Sequence, residues 1–367
     1  MDLHFSQLPT GIEWSDWHWQ LAHAAHDFAT VAQYLGVSKE QFAEAYASAE
    51  RYPLLVTPYY LSLAHSAETT DPILRQCLPT QTETNDREQY GGQPDALAEE
   101  THSPVPRLFQ RYPDRVVFNT GNLCAVHCRH CLRKRDWGKC LPPPTDTELD
   151  AICDYLAAHP AIREVLVSGG DPLMLPEECL QRIVERLSAV PSIEMLRFGS
   201  RVPCVLPQRV TPRLAAILAS GKPAWLATHF NHPWELTKEA SEAARILHHA
   251  GLSLVNQSVL LKGVNDDAET LAALFTGLLK IHIKPYYLFH GDPIQGTMHF
   301  RTGIQKGLDI MNRLRGRISG MALPAFAFDL PGGAGKIRLQ PEQLAEYDTD
   351  GTPLFVSWDG RRIAYPN

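Results

Sequence analysis

The chain has no run of about 18 apolar residues, which excludes a membrane-spanning helix. It has no excess of positive charge. Its 34 Lys and Arg stand against 41 Asp and Glu, for a formal net charge of −7, and this gives no support for a nucleic-acid partner. The opening residues Met1-Asp2-Leu3-His4-Phe5 lack the basic-then-apolar layout of an export signal, so a cytoplasmic protein is expected. Eight cysteines without such a signal argue against a disulfide framework. Five of them (Cys77, Cys140, Cys153, Cys179, Cys204) are scattered, and Cys153 and Cys179 fall in helical patterns as small core residues. What remains is an ordinary globular balance over 367 residues, 44% hydrophobic and 20% charged, ample for a large core.

The other three cysteines stand together, in Cys124-Ala125-Val126-His127-Cys128-Arg129-His130-Cys131. This C-x3-C-x2-C pattern supplies three thiolates. A cubic iron–sulfur cluster has four irons, so one iron is left open to a small molecule, and an open iron does chemistry. Zinc is the alternative. A structural zinc takes four protein ligands, often as two separated pairs. No second C-x2-C pair exists here, though His127 or His130 could complete a set.

Helical spacing of Trp14, Trp17, Leu21 and Ala25, with Ser15-Asp16 as a cap, predicts helices up to about residue 66. Residues 66–106 are polar and irregular, with Gln81-Thr82-Glu83-Thr84-Asn85-Asp86 and Gly91-Gly92-Gln93-Pro94, and read as a wrapping arm. Such an arm either meets a partner subunit or is a plain surface loop. From about residue 114, short β-branched runs (115–120, 164–168, 194–198, 224–229, 253–260, 283–288) alternate with amphipathic stretches (148–158, 177–189, 213–219, 239–250, 268–281, 303–314). That rhythm predicts an α/β fold with a parallel sheet and outer helices. Six units are too few for a closed eight-fold barrel, and a partial (βα)6 barrel is expected. Its functional residues should lie where strands end. The expected parts are 1–106, N-terminal helices and arm; 107–320, partial barrel; and 321–367, a C-terminal segment.

Polar punctuation sits at those strand ends. Ser168-Gly169-Gly170-Asp171 follows the second run and Ser200-Arg201 the third. His229-Phe230-Asn231-His232 follows the fourth, and Asn256-Gln257 lies in the fifth. The two glycines would let backbone amides approach a ligand. Near the end, Asp329-Leu330-Pro331-Gly332-Gly333-Ala334-Gly335-Lys336 delivers one lysine on a glycine-rich loop. A nucleotide loop would need Ser or Thr next, and Ile337 breaks that pattern. A lysine whose amine bonds an aldehyde cofactor is the second reading. A surface turn is the third.

The cysteine motif after a first barrel strand resembles the radical S-adenosylmethionine superfamily. That resemblance implies a [4Fe–4S] cluster on Cys124, Cys128 and Cys131, whose open iron chelates S-adenosylmethionine and yields a 5′-deoxyadenosyl radical. Ser168, Gly169, Gly170 and Asp171 stand where the superfamily binds the methionine amino group. From Trp14 to about Lys336 the chain further resembles the lysine 2,3-aminomutase family. Thr57-Pro58-Tyr59-Tyr60, Arg111-Tyr112-Pro113-Asp114-Arg115, Ser200-Arg201-Val202-Pro203, Asn256-Gln257-Ser258-Val259, Pro285-Tyr286-Tyr287 and His299-Phe300-Arg301-Thr302 carry it.

This second resemblance implies that Lys336 bonds pyridoxal 5′-phosphate and Arg111 and Arg115 face its phosphate. His229 and Gln257 would hold S-adenosylmethionine. Arg133 would fork onto the substrate carboxylate, as guanidinium does well. Asp292 and Asp329 would hold the ε-ammonium of lysine, a charge that needs compensation in a pocket. The implied activity is an isomerase moving the α-amino group of L-lysine to the β-carbon. Arginine or glutamate as substrate, or a radical enzyme without pyridoxal phosphate, are the alternatives. The implied partners are a small amino acid and a one-electron reductant protein. In the family, a cysteine follows the Gly-Val-Asn-Asp phrase and others lie near the C-terminus. Here Asp267 follows Gly263-Val264-Asn265-Asp266 and no cysteine follows Cys204. A homodimer or higher homo-oligomer without intersubunit zinc is therefore expected.

Overall fold

The computed structural model describes residues 12–84, 91–341, 344–347 and 352–365. Asn85 and Asp86 of the polar phrase, and the opening residues, lie outside them. The main sheet has nine strands in chain order: β1 Leu108–Tyr112, β2 Arg115–Asn119, β3 Glu164–Ser168, β4 Met195–Gly199, β5 Ala224–Thr228, β6 Ser253–Leu260, β7 Lys284–His290, β8 Ala325–Leu330 and β9 Gly335–Leu339. Strands β2 to β8 run parallel, while β1 and β9 are antiparallel edges. The six expected strands are present, with ends shifted by two residues at most. The seventh parallel strand, β8, and its hairpin partner β9 flank the glycine-rich loop, so the sheet runs past residue 320. Beyond it, β10 Leu344–Tyr347, β11 Pro353–Val356 and β12 Arg362–Ala364 form a separate antiparallel sheet.

Alternation along the strands separates two faces. In β3, Val165 and Val167 are buried under the outer helices, while Leu166 and Ser168 face the barrel's cavity. Val117, Gly199, Ala227, Gln257 and Phe289 repeat that inward placement. The helices cover the outer face with i, i+3, i+4 and i+7 stripes, as Leu180, Ile183, Val184 and Leu187 do in Glu177–Ala189. Their starts are specified locally. Thr145 and Glu148 form a capping box, and Thr211, Thr237 and Asp267 cap the helices Pro212–Ala219, Lys238–His249 and Ala268–Lys280.

The N-terminal layer departs from its expected pattern in two places. Asp16 caps Trp17–Ala22 as expected, but the helix stops before Ala25, which pairs instead with Val56 in an isolated bridge. Within the supposedly irregular arm, Asp71 and Pro72 start a helix, Pro72–Cys77, that buries Ile73, Leu74 and Cys77. It is too short to show periodicity.

A buried ion triad fastens this layer to the cysteine loop. Glu83 binds Arg129 Nη2 and, at 2.7 Å, Lys134 Nζ, with all three side chains closed to solvent. Lys134 also donates to Gly296 O at 2.7 Å. Removing one member of a buried charge set strands the others, at a cost of about 3–5 kcal/mol. Glu83→Gln is therefore expected to lower the urea midpoint of unfolding steeply. A midpoint unchanged from the parent would show that the triad contributes nothing net.

Candidate active site

The cysteine loop leaves β2 at its C-terminal end and is pressed against the turn after β3. A Cβ on Gly170 would lie 2.3 Å from Leu123 O, so only glycine lets the two segments touch. Here the structure corrects the sequence expectation. The amides of Gly170 and Asp171 are used by Gly121 O and Leu123 O, both at 2.6 Å, and are not free for a ligand. What the turn offers a cationic group is acceptors, such as Gly169 O. The Asp171 carboxylate is likewise engaged. It accepts from Ser200 Oγ at 2.8 Å, Arg201 N at 2.7 Å and Leu173 N at 3.1 Å, and so pins the loop after β4. Burial pushes its pKa up to about 6, against those hydrogen bonds.

Cys124, Cys128 and Cys131 line one cavity. Burial raises the Cys124 thiol well above its usual range and Cys131 to about 11. Thiolates here need a positive partner. Among the described residues no three His, Cys, Asp or Glu side chains converge on a single metal ion. Three thiol donors lining one cavity are a donor set that suits the irons of a [4Fe–4S] cluster. His127 is moreover turned away, with Nδ1 against Pro53 O at 2.8 Å.

His229 and His130 face each other, Nε2 to Nε2 at 3.0 Å, with Asn231 Nδ2 beside both. Burial pushes His229 down to about 3 and His130 well below its usual value, so both rings are neutral. His130 Nδ1 is buried without a hydrogen-bond partner among the described residues. Gln257 lines the same wall.

The other end of the cavity, whose volume is about 330 Å³, holds the lysine. Lys336 pairs with Asp329 across the β8–β9 hairpin, Nζ to Oδ2 at 2.5 Å, and lies 4.0 Å over the Phe289 ring. Burial depresses its amine below the usual lysine range, with Asp329 opposing. A depressed amine is the nucleophilic form. Asp292, after β7, is pushed up to about 7 by burial and by the facing Asp329. Arg111 stands 3.9 Å from Asp329, and its buried Nη1 has no hydrogen-bond partner. A guanidinium nitrogen with no hydrogen bond near a buried lysine amine is a donor set that would suit the phosphate and the aldehyde of pyridoxal phosphate. Arg115 is not brought to the cavity. It pairs with Asp114 and covers the Tyr112 ring, whose hydroxyl accepts from Lys336 N at 2.7 Å. That Tyr112 bond also bridges the sheet's two edge strands.

Arg133 carries a surprise. Its fork is already taken by Glu99 of the arm, at 2.6 and 3.1 Å, and only Nη1 turns inward, to Gly169 O at 3.3 Å and Ser168 Oγ at 3.4 Å. Glu99 also holds Arg135 at 2.8 Å. Ala98 adopts φ +53°, a costly conformation for a residue with a side chain, immediately before Glu99. The arm grips two further loops. Gln93 exchanges backbone bonds with Pro293 and Gln295 beside Asp292. Ala96 O accepts from Gly332 N at 2.9 Å, and a Cβ on Gly333 would strike the His102 ring at 2.5 Å. Sequence reasoning passed over Glu99 and gave Tyr112 no role of its own. No local signal marks Glu99, whose partner lies 34 residues away.

Comparison with known proteins agrees with this geometry. Residues 118–275 match the model of the radical SAM superfamily and residues 311–366 the model described as lysine-2,3-aminomutase. An Aquifex aeolicus protein named "Putative L-lysine 2,3-aminomutase" is 45% identical, covering 98% of this chain and 97% of its own. The L-lysine 2,3-aminomutase of Clostridium subterminale is 40% identical, covering 92% and 81%. A glutamate 2,3-aminomutase of Clostridioides difficile is 37% identical, covering 96% and 83%. The site and fold are those of a radical S-adenosylmethionine enzyme, built around a [4Fe–4S] cluster and supplied by a one-electron reductant. Within that class, the chain belongs to the lysine 2,3-aminomutase family.

Proposed function

We propose that this enzyme converts L-lysine to β-lysine, with pyridoxal phosphate bound through Lys336. The observation that carries the reading is the pair Asp292 and Asp329 at the lysine end of the cavity, with Arg133 at the cysteine end. A substrate with a carboxylate at one end and an ammonium at the other suits these two poles. A glutamate side chain would meet two carboxylates.

When bound, the cluster and S-adenosylmethionine supply a carbon radical, and pyridoxal phosphate supplies the conjugated system that carries the migrating nitrogen. The chain's own residues do the rest. Lys336 would hold the cofactor through its amine, and Arg111 would face the phosphate. Arg133 Nη1 takes the substrate carboxylate while Glu99 holds the rest of the guanidinium still. Asp329 and Asp292 take the ε-ammonium. The arm covers the cavity and keeps solvent from the reacting carbon.

The test is anaerobic incubation of reconstituted protein with L-lysine, L-arginine and L-glutamate separately, followed by mass spectrometry of the products. β-Lysine formed fastest supports the reading, and faster turnover of arginine or glutamate overturns it. A pH dependence follows. Only ionised Asp292 attracts the ammonium, and its pKa is raised to about 7. Below that value it takes up a proton, so kcat/KM for lysine is expected to fall about tenfold per pH unit. Asp292→Asn should flatten this limb and raise KM by roughly ten- to a hundredfold, the scale of a lost hydrogen bond to a charge. A limb that survives in the variant would assign it to another group.

A further inference from the structure

Arg201 lies two residues after β4 and is almost fully buried. Its guanidinium is locked on one edge. Nη2 donates to Gln76 Oε1 at 2.6 Å, Tyr60 Oη at 2.8 Å and Glu235 Oε1 at 2.8 Å, while Nε donates to His229 O at 3.2 Å. Its backbone N–H is held by Asp171. Glu235 is itself fixed, accepting from Asn231 N at 2.6 Å, His232 N at 2.9 Å and Tyr60 Oη at 2.7 Å. A planar fork held this way cannot turn aside. Its remaining nitrogen, Nη1, points at Cys128 Sγ from 2.9 Å.

We propose that Arg201 sets the reduction potential of the iron–sulfur cluster by donating a charge-assisted hydrogen bond to the Cys128 sulfur, with Glu235 as its positioning residue. The electron balance is simple. One electron enters from the external reductant, no bond to Arg201 breaks, and the cluster gains one negative charge. A fixed cation and a hydrogen bond at a cluster sulfur stabilise that added charge and raise the potential. The effect is strong because the site is buried and low in dielectric. Glu235 offsets part of the charge from the far edge of the fork. A raised potential eases electron delivery and weakens the drive for sulfonium cleavage, so this one contact balances two steps. The inference rests on the cluster alone and not on lysine or pyridoxal phosphate.

The test uses the full chain with its cluster, without S-adenosylmethionine or amino acid, in a potentiometric titration read by electron paramagnetic resonance. Arg201→Gln, and Arg201→Gln combined with Glu235→Gln to avoid a stranded carboxylate, should both shift the midpoint negative. At a poise equal to the parent midpoint, the ratio of reduced to oxidised cluster should fall about tenfold, which is 59 mV for one electron. Glu235→Gln alone leaves the cation uncompensated and should shift the midpoint positive. A loop that is merely loosened gives no such opposite signs, and midpoints equal to the parent's overturn the proposal. The parent protein supplies a readout independent of variant folding. With 15N-labelled arginine, pulsed resonance of the reduced cluster should show a nitrogen coupling, and its absence would also overturn the proposal.

Discussion

Lys336→Ala is expected to keep its cluster and to cleave S-adenosylmethionine, yet to lose amino-group migration by roughly a thousandfold or more. That is the scale for deleting a group that takes part in the chemistry. The cysteine loop and the β8–β9 hairpin are separate segments lining one cavity, so the radical machinery should survive the loss. The visible absorbance of a Schiff base with pyridoxal phosphate should vanish in the same variant. The change also removes the cation between Asp329 and Asp292, so Asp292 should hold its proton to a higher pH than in the parent. Undiminished migration in Lys336→Ala would sink the assignment of the lysine. Retained migration without any Schiff-base band would point to a radical enzyme that works without pyridoxal phosphate.

Cys131→Ala is expected to be more complete in one respect. It removes one of the three sulfurs proposed to hold the irons, and reductive cleavage of S-adenosylmethionine should fall to background. Iron content after anaerobic reconstitution should drop with it. The fold should persist, because the loop is held from elsewhere, by Glu83 on Arg129 and Lys134 and by Glu99 on Arg133 and Arg135. A normal circular dichroism spectrum with no iron and no cleavage is the anticipated result. Cleavage at the parental rate would mean that Cys131 is not a ligand.

The parts of this molecule legible from its residues were those written locally. Alternating β-branched runs announced β2 to β7, since a strand buried under helices on one face must repeat every second residue. The three cysteines are close in sequence and remained close in space. Lys336 drew attention because glycines are conspicuous. The hairpin that carries it did not, since β9 is short and none of its residues is fully buried. The buried charges were the least legible. Glu83, Arg129 and Lys134 look like solvated surface residues until folding encloses them. Arg201 sits in a recognisable phrase, yet its meaning depends on Tyr60, Gln76, Cys128 and Glu235, four separate segments that only the tertiary structure assembles. The hold of Asp171 on the loop after β4 was not foreseen, because a carboxylate's partners cannot be read from its neighbours in the chain.

The stretch from Gln93 to His102 touches the loop after β2, the loop after β7 and the loop between β8 and β9. Three segments from distant strands thus share one fastening. Stability is local in most proteins, and each loop ordinarily fluctuates on its own. Here the backbone amides around Arg133, Asp292 and Gly332 should exchange hydrogen with solvent in a single correlated event. The radical end and the amino-acid end of the cavity would then be exposed together or not at all, so a reactive carbon radical formed at one end is never left with the other end open to water.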